Sequence, residues 1–348
     1  MVARSSLSSS PRALSLSSSS RALRAFSARL LGAMLALGAS GALDPSGASA
    51  EPAAAASAVA QRFPPTAPTA PAASIAPAAS TAPPPWSAAD PRIAAEVKAG
   101  KPLVISVIVP LCDGAMLDCG SKPAGLAGDL GRNLYWGAIF GQRRFLDRPK
   151  SGWEQVEVKA GEGPLLERAI YRRTGSQAPW GGSAEAPLEQ LLVIQAVHGK
   201  SIDQAVAMFW STATGGGEVR FQDGGKERVE RIQVAGYAGH NRLMDRSAVP
   251  LTPALQAPVP AFVMACSSEA YFAAPLSAAG SAPLLTTRVL MAPEGYVVEA
   301  MARALGENAP LAGLRARVVD AYASWQRMPV AEARKVFAGG RFLTPPGS

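Results

Sequence analysis

The sequence predicts an α/β domain in three layers, with helices on both faces of a mainly parallel sheet. Two observations carry this: apolar runs rich in Val, Ile and Leu recur along the chain, and segments of helical period alternate with them. A third is a pair of alternating stretches broken by glycine turns, which read as β-hairpins added to that sheet.

The first element is "PLVISVIVPL" (102–111), an unbroken apolar run of the kind a strand needs when both its faces are covered. It ends in a loop with Cys112, Asp113 and Cys119. "NLYWGAIFGQRRFLDR" follows and reads as a helix with one aromatic and aliphatic side. "WEQVEVKA" and "LLERAIYRR" flank a Gly-rich turn at 161–163 and form a hairpin. "LEQLLVIQAV" is a second buried strand, and "SIDQAVAMFWSTA" is a helix with Ser201 as its cap.

"VRFQ", the turn "DGG" and "RVERIQVAGYAG" make a second hairpin whose returning arm runs into His240. "PAFVMAC" is a third buried strand, "SEAYFAAPLSAAG" a helix, and "PLLTTRVLMA" a fourth strand. "PEGYVVEAMARALG", "LAGLRARVVDAYASWQRM" and "PVAEARKVFAG" are helical, with Pro293 and Pro329 placed where a first turn tolerates proline.

This domain occupies residues 91–342, the ordered part starting near Trp86 or Pro91, and is followed by a short disordered tail at 343–348. Residues 1–50 read as a secretory signal: five arginines, an apolar stretch "LLGAMLALGASGAL" and the small-residue site "ASA". An organellar transit peptide is the alternative. The apolar stretch is too short for a permanent span, so no stable membrane span remains after cleavage. Residues 51–90, dominated by Ala, Pro, Ser and Thr, are a disordered spacer. Removing the leader lowers the formal charge from +8 to +4. No Lys/Arg cluster is interleaved with aromatics, so nucleic acid is not an expected partner.

Three cysteines in an oxidising compartment leave one over. Cys112 and Cys119 lie close enough in "LCDGAMLDCG" to form a local disulfide, which makes Cys266 the free thiol. Its plain alternative is a small buried apolar residue. His240 and Cys266 each close a predicted strand, and those strands are nearly consecutive. Parallel neighbours lie about 4.8 Å apart, so both side chains would emerge on one rim. An imidazole there takes up the thiol proton and leaves a nucleophile for carbonyl carbon, with faster alkylation than an ordinary cysteine.

"GYAGHN" and "FVMACSS" resemble the His and Cys signatures of the caspase-like cysteine peptidases, including the CHAT branch, over roughly residues 102–306. The resemblance implies a caspase-like sheet, Cys266 as nucleophile, His240 as base, and a peptide or protein substrate or ligand. Two departures stand beside it: Asn241 and Arg242 follow the histidine, and only 26 residues separate it from the cysteine. "NLYWGAIFG", "GHNRLMD" and "ACSSEAYF" also resemble an uncharacterised group of secreted bacterial proteins, which implies no activity.

His198, in "AVHGK", competes for the role of base; His240 is preferred because its strand directly precedes that of the cysteine. Asp113 is a candidate for lining the substrate pocket or orienting the imidazole, against the simpler reading of an Asp in a turn. Asp245 and Glu269 stand near the pair with similar odds. The aromatics of "NLYWGA" read as core. There is no "GxSxG", "HExxH" or "GxxxxGK", and two histidines with scattered acids give no metal-site spacing, so no cofactor and no metal are expected. Two functional classes follow: a secreted or periplasmic cysteine hydrolase, or a non-catalytic α/β binding module on the same scaffold.

Overall fold

The computed structural model describes residues 82–245 and 256–342. The expected signal segment (1–50), most of the spacer and the tail (343–348) lie outside the described residues.

The elements in chain order are α1 (Pro91–Lys98), β1 (Leu103–Pro110), α2 (Gln142–Leu146), β2 (Glu154–Ala160), β3 (Leu165–Ser176), β4 (Pro187–Val197) and α3 (Ile202–Gly215). They continue with β5 (Glu218–Asp223), β6 (Lys226–Arg231), β7 (Val234–Ala238), β8 (Ala261–Met264) and α4 (Ala274–Ala278), which extends a π-helical turn at Glu269–Ala273. The last are β9 (Pro283–Thr287), α5 (Gly295–Gly306), α6 (Leu311–Gln326), α7 (Val330–Val336) and β10 (Phe337–Gly339).

One sheet of eight strands runs in the order β10-β9-β8-β7-β1-β4-β3-β2. The five strands from β9 to β4 are mutually parallel, while β10 on one side and β3 on the other pair antiparallel, and β2 pairs antiparallel with β3. From β1 the chain crosses to the edge as β2, steps inward through β3 to β4 beside β1, and then passes to the opposite side of β1 as β7. That reversal opens a crevice at the carboxyl ends of β1 and β7, where parallel sheets bind ligands.

Alternation along β1 explains the three layers. Leu103, Ile105, Val107 and Val109 face a core with Ile93 and Val97 of α1, Tyr296, Val297 and Met301 of α5, and Leu314 and Val318 of α6. On the other face Ile108 joins Tyr237, Val263, Phe209 and Trp210 of α3, and Phe272 and Leu276 beside α4. Val104 packs under the separate β5–β6 ribbon through Val219 and Phe221.

Several expectations are corrected. The segment from Asn133 to Gly141 is a run of tight turns, and only α2 is helical. The reason is close packing: a Cβ at Gly137 would lie 2.2 Å from the Leu130 carbonyl oxygen, so the backbone folds on itself where a helix would have continued. The arm that reaches His240 belongs to the main sheet as β7, because the ribbon ends at Arg231. Ser201 makes no capping bond; His198 Nδ1 instead accepts from the Lys200 amide at 3.2 Å, ahead of α3. The strand at 283–287 is shorter than "PLLTTRVLMA", and β10 follows α7 where only helix was expected.

Within the expected spacer, Trp86 is already part of the core. Trp86 is fully buried, its indole Nε1 donates to the Leu305 carbonyl at 2.8 Å, and its ring meets Trp180 edge-on at 5.7 Å. Trp180 Nε1 donates to the Gly306 carbonyl at 2.9 Å. The two indoles thus satisfy carbonyls that the last turn of α5 leaves without intrahelical donors. Trp86→Ala should cost about 3–5 kcal/mol of stability, read from urea unfolding, and a chain beginning at Pro91 should lose a similar amount against one beginning at residue 82.

Candidate active site

The rim at the carboxyl ends of β1, β7 and β8 is set by pairing. Ala238 of β7 is level with Met264 of β8. His240 and Cys266, each two residues further on, therefore leave adjacent strands at the same level, one strand spacing of about 4.8 Å apart in the backbone. The approach is tight: a Cβ at Gly239 would lie 2.5 Å from Pro110 Cγ at the end of β1, so the position before the histidine takes no side chain.

Cys266 stands at a turn fastened from three directions. Asn241, with no exposed surface, donates Nδ2 to the Cys266 carbonyl at 2.7 Å and accepts from the Leu243 amide at 3.2 Å. The Ser267 amide donates to the Val289 carbonyl at 2.9 Å, holding Ser267 at φ +48°, a region costly for a side-chain-bearing residue. Ser268 Oγ donates to the Val263 carbonyl at 2.8 Å, and Thr287 Oγ1 donates to the Ala265 carbonyl. The Thr287 amide donates to Ser268 Oγ at 2.9 Å.

The thiol itself is partly exposed. Sγ accepts from the Met291 amide at 3.4 Å and donates to the Met291 carbonyl at 3.6 Å. Burial pushes the thiol above its ordinary value, against the smaller opposing effect of the Met291 amide. Among the described residues no hydrogen bond joins Cys266 to His240. The imidazole pairs through Nε2 with Asp245 Oδ2 at 2.8 Å, and its Nδ1 edge has no partner among the described residues. Asp245 Oδ2 is shared with Arg242 Nη1 at 3.2 Å, and Arg242 Nε reaches Asp203 at 2.7 Å.

The expected pair is thus not hydrogen-bonded, although the two strand ends stand level. Asp245 makes the contact with the imidazole that Asp113 was a candidate for. Asp113, at the end of β1, accepts from the Ala115 amide through Oδ1 at 3.0 Å and so shapes its turn. It also lines a cleft of about 540 Å³ with Asp129, His198 and Lys200. His198 follows β4, three strands across the sheet from Cys266, which removes it as the base. Glu269 faces outward to Arg288 at 3.2 Å.

Cys112 and Cys119 form a disulfide, leaving Cys266 as the free cysteine. Closing so short a loop is worth about 2–3 kcal/mol. Asn133 fixes that loop to the rim: its Oδ1 accepts from the amides of Cys112 and Tyr135 at 2.9 and 3.1 Å, and its Nδ2 donates to the carbonyls of Cys112 and Leu126 at 2.8 and 3.0 Å.

Behind the thiol lies a buried group that the sequence reading missed. Tyr135, Tyr322 and Glu294 all lie within electrostatic reach of one another or of Cys266. Burial pushes Tyr322 up to about 12 and Glu294 up to about 7, the latter against a hydrogen bond with Tyr296. Glu294 Oε2 accepts from Gln326 Nε2 at 3.3 Å. Nothing in "PEGYVVEA" separates Glu294 from an ordinary acid at a helix start; its burial is created by α6.

Set against protein-family models, curated proteins and solved structures, the chain matches none. Among the described residues there is no helix long and apolar enough to cross a membrane and no cluster of ligating side chains able to hold a metal.

Glu294 generates a pH dependence with a definite sign. The folded protein keeps this proton between the ordinary value of 4.5 and about 7, where the unfolded chain has released it. Stability is therefore greatest below that window and falls as pH rises through it, by on the order of 3 kcal/mol. Urea unfolding from pH 4 to 8 should show the decline, and Glu294→Gln should flatten it.

Proposed function

We propose that the chain is a secreted or periplasmic caspase-like domain that hydrolyses peptide bonds with Cys266 as nucleophile and His240 as base. The observation that carries this is the equal level of His240 and Cys266 on neighbouring parallel strands, with the imidazole already held by a carboxylate. A base oriented by a third group is the recurring arrangement of nucleophilic catalysis. Asp245 on Nε2 leaves Nδ1 to take the thiol proton, and the same carboxylate stabilises the imidazolium that results.

In the first step the Cys266 sulfur forms a bond to the substrate carbonyl carbon while its proton passes to His240. Collapse of the tetrahedral species expels the amine, which takes that proton, and water then hydrolyses the thioester. The Cys112–Cys119 disulfide supports an oxidising compartment. The cleft beside Asp113, whose Oδ2 has no partner among the described residues, suits a Lys or Arg side chain before the scissile bond.

A second reading, a binding module on the same scaffold, is favoured by the upward-shifted thiol and by its pairing with Met291 instead of the imidazole. A peptide library and a thiol alkylator separate the two. Hydrolysis should disappear in Cys266→Ala and His240→Ala and fall about a hundredfold or more in Asp245→Asn, the range of general-base catalysis. Slow alkylation of Cys266 that His240→Ala leaves unchanged, with no peptide cleaved, would instead establish the binding module.

A further inference from the structure

Ile139, Phe140, Phe145 and Trp325, with Arg144 and Arg148, line a cleft of about 390 Å³ between the start of α2 and the last turn of α6. Phe145 has no exposed surface and lies deepest, whereas Ile139 is 57% and Trp325 43% exposed at the lips. The walls are fixed. Trp325 meets Phe145 edge-on at 5.2 Å and Phe140 at 5.6 Å, and stacks on Tyr296 at 6.1 Å. The Gly295 amide donates to the Phe140 carbonyl at 2.7 Å, and a Cβ at Gly295 would lie 2.5 Å from Phe145 Cβ, so the start of α5 backs the cleft directly. Single apolar side chains on a surface mean little, but two large ones held open across one rigid apolar cleft form a binding surface in advance.

Charge around the cleft decides what fits it. Asp147, the carboxylate in its lining, is taken up by the protein itself: it accepts from the Tyr171 hydroxyl at 2.7 Å and pairs with Arg143 at 3.0 Å. Arg148 pairs with Glu299 at 3.0 Å, and its guanidinium lies 3.2 Å from the centre of the Phe145 ring. Arg144 is different. It is exposed and pairs with no described carboxylate, and the same holds for Lys150, next to the lining residue Pro149, and for Arg327, two residues past Trp325. The apolar slot is thus bordered by cations whose counter-charge the described protein does not supply.

We propose that this cleft docks an extended acidic segment of a partner protein, with an apolar side chain set between Ile139 and Trp325 and a neighbouring carboxylate paired with Arg144. A chain suits the cleft better than a small free ligand. Small-ligand sites enclose most of the ligand's surface, whereas here both lips stand open, and a chain that continues past the slot covers them. The guanidinium of Arg144 gives the carboxylate a planar, two-pronged partner and so sets the direction of the chain. Aromatic anchors and arginine are also the groups that carry most of the energy where proteins meet. The proposal goes beyond the chemistry at Cys266, which is not among the residues that line the cleft.

The tryptophans supply the test. Trp86, Trp136, Trp153, Trp180 and Trp210 are each at most 8% exposed, so acrylamide quenching of fluorescence from the full chain reports on Trp325, the sixth. The probes are capped hexapeptides with one Leu, Ile or Phe and one Glu at every spacing, beside matched peptides with Lys in place of Glu. Peptides with Glu should shield Trp325 saturably, and those with Lys should not. Arg144→Glu, at an exposed site without a partner, should leave the thermal midpoint in place and weaken binding of the Glu peptides about tenfold, since it removes one attraction and adds one repulsion. Cys266→Ala should bind as the wild type does, so loss of the hydrolase reading would leave this one standing. Absence of shielding by every Glu peptide, equal shielding by the Lys set, or shielding that Arg144→Glu leaves intact overturns the proposal. So does quenching that falls with protein concentration alone, with a doubled mass in sedimentation, which would give the cleft to a second copy of the chain.

Discussion

Ala235 to Ala238 of β7 pair in parallel, residue for residue, with Ala261 to Met264 of β8, and the chemistry of the rim depends on that register. A slip of one residue would turn His240 or Cys266 to the opposite face of the sheet, since side chains alternate along a strand. Gly236 and Gly239 allow the pairing at this spacing; a Cβ at Gly236 would lie 2.5 Å from the Phe262 ring. Phe262 belongs to the core under α5 and α6, while Val263 belongs to the opposite core, so both layers hold β8 in one register. Asn241 then adds a side-chain bond between the strand ends where the ladder has stopped. The residues after His240, a departure from the caspase-like pattern when read as letters, divide in the structure. Asn241 is a strand tie, and Arg242 a competitor for Asp245.

The parts legible in the sequence are those whose signal is local and repeated. β1, β4 and β8 announce themselves as apolar runs because they are covered on both faces, and α5 and α6 show their buried stripe over three or more turns. The disulfide was legible because two cysteines seven positions apart with a glycine between them leave few alternatives. The turns after Asn133 were not, because their aromatic residues sit at helical spacing while their geometry answers to long-range bonds with Cys112, Leu126 and Ala124. β10 is three residues long and exists only because β9 offers an edge.

At the site the same division holds. The placement of His240 and Cys266 followed from strand ends, which periodicity finds. The absence of a hydrogen bond between them did not, because it depends on where Asp245 and Met291 come to lie. Tyr135 reads as core, and it is core. Glu294 reads as a solvent-facing helix-start acid, and becomes a shifted carboxyl because α6 lays Tyr322 and Gln326 across it.

The balance at the thiol is between burial and donors. Burial disfavours the thiolate, while the Met291 amide favours it less strongly. Moving the proton to His240 would change that balance twice over, because it would create a cation on the neighbouring strand end and place that cation against Asp245. The Arg242 guanidinium works against the second effect by occupying the same Asp245 oxygen, and it is itself divided between Asp245 and Asp203 at the start of α3. Arg242 and the His240 imidazole therefore compete for one carboxylate oxygen, and a ligand that drew Arg242 fully to Asp203 would leave that oxygen to the imidazole.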